Sequence, residues 1–387
     1  MKTGIRNQES GIRGSRESAL ALLLTLCLST VPGAQSSDLA TLERATELAP
    51  TLPRAWYALG QAYNAIKQDA MRSFNAADDV SWQQLLVADG LLAAGKFTDA
   101  FTLYRTTLDR LPSMVSIHDS VARIYEHTGH ADWATRERSA GTLPAADCAK
   151  RTALCAFRAG RYRAALAAVV IETDPESRYW RARAANELAL AAFAHLESLA
   201  DSPERRSIRA TVARAEDRHT DAIAELTAAL TFVPGNPALV FDLASSCYQA
   251  RDYERAIATL QPLLQARPDD PRLLTLVGYS LLQLRRPEEA LPLLQRVVER
   301  DAGDPGARLA LGRAYLQTGA FAAAIPLIEP ELGSDQDGSL HVQLARAYTA
   351  LGQKEKGAAL LARSQEMQRA ADERTRAMAQ QTITPPK

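Results

Sequence analysis

The sequence predicts an all-α fold made by stacking short helical hairpins, and three observations carry that prediction. Ala222, Ala256, Ala290 and Ala324 recur at one step (256 − 222 = 34, and likewise for the rest), which Ala358 continues. Pro237, Pro271 and Pro305 keep the same step, as do Pro234 and Pro268, and Gly278 and Gly312. Hydrophobic residues make up 47% of the chain but aromatic ones only 6%, and β-branched runs are few, a balance that favours helix over strand. A hairpin with two apolar faces cannot bury both alone, so neighbours must stack and share a continuous core.

Taken in order, residues 1–36 read as an export signal. Lys2, Arg6, Arg13 and Arg16 precede the apolar run Ala19 to Leu28, and small polar residues follow. This ten-residue run is about half of what a membrane-spanning helix needs. Cleavage is expected around Gly33 or Ala34; the other reading is a disordered tail with a sticky segment. Leu26 before Cys27 is too large for a lipid-anchor motif. A helix follows at 39–50. Residues 53–79 place Trp56, Leu59, Gly60 and Tyr63 at helical spacing, yet Gln61 to Asp79 holds no Gly or Pro to turn the chain. One long helix is the simplest reading, with a turn near Gln68 as the alternative.

Hairpins are expected at 81–114 and 115–144, then a helix at 162–175 that ends in Pro. Ser177 to Ala200 again lacks Gly and Pro, and the offsets agree: 203 − 81 = 122, 237 − 115 = 122, 177 − 53 = 124. They suggest a duplicated block of about 122 residues; independent loss of two turns is the alternative. Regular units follow from 203, 237, 271 and 305, and a last one at 338–370, so the chain divides into 37–202 and 203–370. Residues 371–387 lose their apolar stripe and are expected to fray.

The unit from Pro237 carries Val240, Leu243, Ala244, Cys247, Ala256, Leu260, Leu263 and Pro268; that from Pro271 carries Leu274, Val277, Gly278, Leu281, Ala290, Leu294 and Val297. These residues resemble the tetratricopeptide repeat, a 34-residue helix-turn-helix unit. The resemblance covers roughly residues 38 to 370 and implies a right-handed superhelical solenoid. It also implies a concave groove lined by positions 2, 5, 9 and 12 of each first helix. Carried over residue by residue, the groove candidates are Tyr57, Gln61, Trp82, Arg123, Phe241, Tyr248, Tyr279, Arg313 and Arg346, with Leu85, Asp89, Thr275 and Leu282 at matching positions. Tyr, Phe and Arg are interface-anchoring types; the bland alternative is packing between neighbouring helices.

The forty-five basic residues balance forty-five acidic ones, so no whole-chain field draws in nucleic acid. No phosphate loop, metal set or catalytic constellation emerges, and no cofactor is expected. His127 and His130 fall at a hairpin turn and read as exposed turn residues rather than ligands. Beyond Cys27, Cys148, Cys155 and Cys247 fall where the repeat wants buried apolar groups, so free buried thiols are the default. On one helix, Cys148 and Cys155 would be about 10.5 Å apart, too far for a disulfide; a bridge requires Cys148 to precede the helix, after Pro144. The expected function is a non-catalytic exported scaffold, periplasmic or secreted, that holds a protein or peptide segment. The runner-up is an accessory subunit of an envelope or polysaccharide-export assembly, docking through its convex face or ends.

Overall fold

A computed structural model describes residues 36–74, 80–112, 114–169, 174–379 and 382–386. The expected export segment thus lies outside the described residues, save Ser36. Among the described residues the secondary structure is helical, with no strand, and the chain is an all-α solenoid of helical hairpins. It separates into two compact units, one of residues 1–200 with 380–387, the other of 201–379.

The second unit follows the 34-residue step. Its hairpins pair α10 (Pro203–Ala215) with α11 (His219–Phe232), α12 (Pro237–Gln249) with α13 (Tyr253–Ala266), and α14 (Pro271–Gln283) with α15 (Pro287–Arg300). They continue with α16 (Pro305–Gln317) and α17 (Phe321–Ile328), then α18 (Ser339–Ala350) and α19 (Lys354–Ala379). Each first helix in 203–317 starts on Pro at its first turn, behind a side chain that accepts backbone N–H bonds: Ser202, Asn236, Asp270 and Asp304.

Each hairpin turns by one device. After α12, Arg251 takes a left-handed φ of 63°, its N–H donates to Tyr248 O at 2.9 Å, and Asp252 N–H donates to Cys247 O at 2.9 Å. This pair of bonds is a Schellman motif, which satisfies carbonyls the helix end leaves open. The same residue position is Asp217, Arg285, Gly319 and Gly352 in the sister hairpins. Close crossing is set by a small residue in each first helix. A Cβ on Gly278 would lie 2.6 Å from Leu294 Cδ2, and one on Gly312 2.6 Å from Ile328 Cγ1. Leu260, Leu294 and Ile328 are fully buried beneath Ala244, Gly278 and Gly312, the apolar load that holds each pair together.

The first unit opens with α1 (Ser36–Leu48) and α2 (Pro53–Arg72). Three hairpins follow: α3 (Val80–Ala93) with α4 (Phe97–Arg110), α5 (Val115–His127) with α6 (Ala131–Ala140), and α7 (Thr152–Arg158) with α8 (Tyr162–Ala167). Gly95, Gly129 and Gly160 supply the left-handed turn residue in them. The chain then returns as α9 (Pro175–Ser198). The helix expected across 53–79 runs straight through Gln68 and stops at Arg72, with Ser73 and Phe74 in a turn; 75–79 lie outside the described residues. The helix expected over 162–175 ends at Ala167, and 170–173 lie outside the described residues.

The partner of α2 is α9, antiparallel to it. Trp56 meets His195 with rings 3.9 Å apart, Lys67 Nζ donates to Asn186 Oδ1 at 2.9 Å, and Arg178 reaches Ser73 O at 3.4 Å. A Cβ on Gly60 would overlap the Phe193 ring. Gly60 occupies the crossing position of its unit, as Gly278 and Gly312 do in theirs, so Phe193 stands where the local second helix would have placed its apolar residue. The two irregular segments are therefore the two halves of one hairpin, split by three complete ones.

Two expectations are overturned. Cys148 and Cys155 form a disulfide with Cα atoms 5.6 Å apart. Pro144 places Cys148 on a short 3₁₀ turn, Ala145–Ala149, ahead of α7, which removes the helical separation that would have kept the sulfurs apart. Cys247 is a free buried thiol. The C-terminal tail also departs from the expected fraying: α19 continues to Ala379, and the described residues 382–386 pack on the first unit.

Candidate functional site

The second unit presents an open cleft of about 650 Å³. Phe241 of α12 and Arg272, Thr275 and Tyr279 of α14 form one side, and Arg300 of α15 with Asp301 and Asp304 of the following turn form the other. Helical periodicity explains the α14 set: 272, 275, 276 and 279 share one face. The Arg272 guanidinium sits 4.4 Å from the Phe241 ring centre, a cation–π contact that links consecutive hairpins. Tyr279 Oη donates to Gly306 O at 2.9 Å, while Asp304 Oδ1 accepts from Gly306 N–H at 2.8 Å, fixing the turn from both sides. Arg300 donates to Asp269 O at 2.9 Å.

Tyr248 extends this surface, its ring 5.4 Å from Tyr253 and 6.4 Å from Tyr279. Burial pushes both the Tyr248 and Tyr279 hydroxyls above the usual tyrosine range, opposed by the nearby Arg313 charge. Both stay neutral donors at physiological pH. Arg313 Nε is buried with no hydrogen-bond partner, a donor with unspent capacity next to the aromatic pair. The result is an aromatic floor with guanidinium and carboxylate groups at its edge, able to take an apolar side chain and hydrogen-bond the backbone that carries it.

Of the sequence-derived candidates, the structure brings together Phe241, Tyr248, Tyr279 and Arg313. Arg346 is exposed on α18. Tyr57, Gln61, Trp82 and Arg123 belong to the first unit: Tyr57 is half-buried, Gln61 and Arg123 are exposed. Trp82 packs 5.6 Å from Tyr179 against the core rather than lining a groove. Leu85 and Leu282 are buried core residues. Asp89 accepts bonds from Tyr104 Oη at 2.6 Å and Tyr179 Oη at 2.9 Å and pairs with Arg183 Nε at 3.5 Å. Arg183 stacks 4.6 Å from Phe157; although burial opposes its charge, the Asp89 carboxylate holds it protonated. This set ties α3, α4, α7 and α9 into the core.

Arg300, Asp301 and Asp304 escaped the sequence reading because it assigned the groove to four positions per first helix; Arg272 stands at position 2 of its first helix and was passed over. The turn between hairpins contributes as well, and the recurrence of an acid before Pro at 270 and 304 was the available signal. His127 stacks on Phe97 at 5.1 Å and His130 on Trp133 at 4.1 Å, both in ring packing. Among the described residues no group of three or more His, Cys, Asp or Glu could hold a metal ion, and no helix is long and apolar enough to cross a membrane.

The family profile described as tetratricopeptide repeat matches residues 213–278 and 281–341. Comparison with curated proteins found no match. Among solved structures, the chain is similar to MamA from Desulfovibrio magneticus RS-1, at 20% identity over 45% of this chain and 98% of that one, with a TM-score of 0.40. It is also similar to MamA of MSR-1, at 21% identity over 45% and 98% with a TM-score of 0.38. A third similarity is to YrrB, titled a TPR protein with an unusual peptide-binding site, at 21% identity over 41% and 82% with a TM-score of 0.35. Across residues 213–278 and 281–341, where the family's repeats match and hairpins close by one turn and cross at one small residue, the chain carries tetratricopeptide repeats.

Proposed function

We propose that the protein is a non-catalytic scaffold that binds a protein segment in the cleft of its second unit, and that it works after export from the cytoplasm. The cleft carries the first part of this reading: Phe241 and Tyr279 offer apolar area at low entropic cost, and Arg272, Arg300, Asp301 and Asp304 offer both signs of charge at its edge. An apolar anchor residue in an extended segment would fill the floor, and its backbone would meet the rim. The basic, apolar, small-residue order of residues 1–36 supports export. So does the Cys148–Cys155 disulfide, since such bonds persist in oxidising compartments.

A photo-crosslinking amino acid at Thr275, introduced in cells, is expected to trap a discrete polypeptide. Phe241→Ala with Arg272→Glu should lower that adduct by about fivefold or more, in the range of losing one interface anchor. An adduct of unchanged yield in the double variant removes the cleft from the function. A fusion of residues 1–36 to a reporter active only outside the cytoplasm tests export separately, and a silent reporter ends that part of the reading.

A further inference from the structure

The first unit holds a second groove, and part of this chain already lies in it. The groove runs over α5 between α4 and α6, the second helices of two consecutive hairpins, and has a cavity of about 190 Å³ lined by Arg105, Leu108, His118, Arg136, Glu137 and Pro386. Its base is fixed by Glu137. That carboxylate, almost wholly buried, contacts Arg105 of α4 at 3.4 Å and His118 of α5 at 2.7 Å, so three helices meet on one side chain. Beside it lie packed rings: Phe101 is 5.7 Å from Tyr125 and tilted to it, and Trp133 stands edge-on to Tyr125 at 5.6 Å.

The C-terminal segment "TITPP", 382–386, makes three kinds of contact here. Ile383 packs against the first-unit core, Tyr125 Oη donates to Thr384 O at 2.7 Å, and Pro386 closes the cavity. The sequence of this segment suits the role. Pro385 and Pro386 fix φ and push the residue before each into extended geometry, so Thr384 and Pro385 lose little entropy on docking. A Pro-Pro step also leaves no N–H to be satisfied on docking. Burial and the Glu137 charge push the Tyr125 hydroxyl up to about 12, so it remains a donor to the peptide carbonyl at physiological pH.

We infer that the α4–α5–α6 groove is a docking site for an extended segment of the order apolar, polar, Pro, Pro, and that the chain's own segment Ile383 to Pro386 is its resident occupant. A tethered occupant faces the groove at high effective concentration, so a free segment of the same chemistry binds only to the fraction of molecules whose tail is out. The inference concerns the first unit alone and stands whether or not the second-unit cleft binds a partner.

The probe is a fluorescent synthetic peptide of residues 379–387, titrated by anisotropy into the full chain and into Ile383→Asp. The Asp variant, with its tail released, should bind the peptide about tenfold or more tightly than the wild-type chain. Tyr125→Phe placed in the Ile383→Asp chain should weaken that binding about tenfold, as loss of the Tyr125 donor to the peptide backbone. A peptide with both prolines changed to Ala should compete worse than the parent. Equal affinity of the wild-type and Ile383→Asp chains, or no binding by either, overturns the inference. Peptide competition that ignores the prolines overturns the stated chemistry. Far-ultraviolet circular dichroism of each variant, unchanged from wild type, confirms that the fold is intact.

Discussion

At the scale of single residues, the hairpin turn is one backbone state met by unequal side chains. Gly95, Gly129, Gly160, Gly319 and Gly352 adopt a left-handed φ at no steric cost, but Arg251 and Arg285 adopt it at φ 63° and 59° with a Cβ in the way. Arg251→Gly and Arg285→Gly should each raise stability by about 0.5–1 kcal/mol in urea unfolding, the left-handed strain less glycine's extra unfolded-state entropy. A loss of stability in both would refute the turn assignment. Asp89 presents the opposite case, a carboxylate with three partners, one from α4 and two from the return helix α9. Asp89→Ala leaves the Arg183 guanidinium buried without its counter-charge and should cost about 3–5 kcal/mol, against a smaller loss for Asp89→Asn. Chemical denaturation of the two variants ranks them.

At the scale of elements, the long helices α2 and α9 behave as one hairpin cut open. Gly60 faces Phe193 as Gly278 faces Leu294, and the antiparallel run is pinned at 56 to 195, 67 to 186 and 73 to 178. A ring is less able than a leucine terminus to move aside, so Gly60→Ala should destabilise by about 1–3 kcal/mol through overpacking. Phe193→Leu in the same chain should restore part of that loss, giving a coupling energy above about 0.5 kcal/mol in a double-mutant cycle. Additive effects would mean that the helices do not share this contact. The sequence carried half of this. Spacing and the missing Gly and Pro marked both segments as long helices, and matched offsets suggested that they correspond. Their direct pairing was not legible, because the residue complementary to Gly60 lies 133 positions away (193 − 60) and nothing local points to it.

At the scale of the whole molecule, the two units have different wiring. In residues 201–379 each helix packs on its sequence neighbours, so the core grows unit by unit. In the first unit α2 packs on α1, but it meets its main partner only after the chain has completed three hairpins and reached α9. A fragment of residues 201–379 should therefore fold alone, with helical circular dichroism and a cooperative thermal transition. A fragment of residues 37–174, which lacks α9, should lose cooperative unfolding, whereas one of residues 37–200 should retain it. Cooperative melting of the 37–174 fragment would show that α9 is dispensable to the unit. Four of the nine groove candidates, Phe241, Tyr248, Tyr279 and Arg313, converge in space; Trp82 went into packing because α9, from a distant part of the chain, covers it.

The sequence by itself determined the repeat, its helical class, the crossing residues and the turn positions, because each is set by interactions within about 34 residues, which a periodic pattern records. Only the tertiary structure decided the α2–α9 pairing, the Cys148–Cys155 bridge and the seat of the tail on the first unit. The bridge turned on one local break, the 3₁₀ turn after Pro144. The other two join residues more than a hundred positions apart, where complementarity of a glycine to a ring, or of a tyrosine hydroxyl to a backbone carbonyl, leaves no period in the sequence to read.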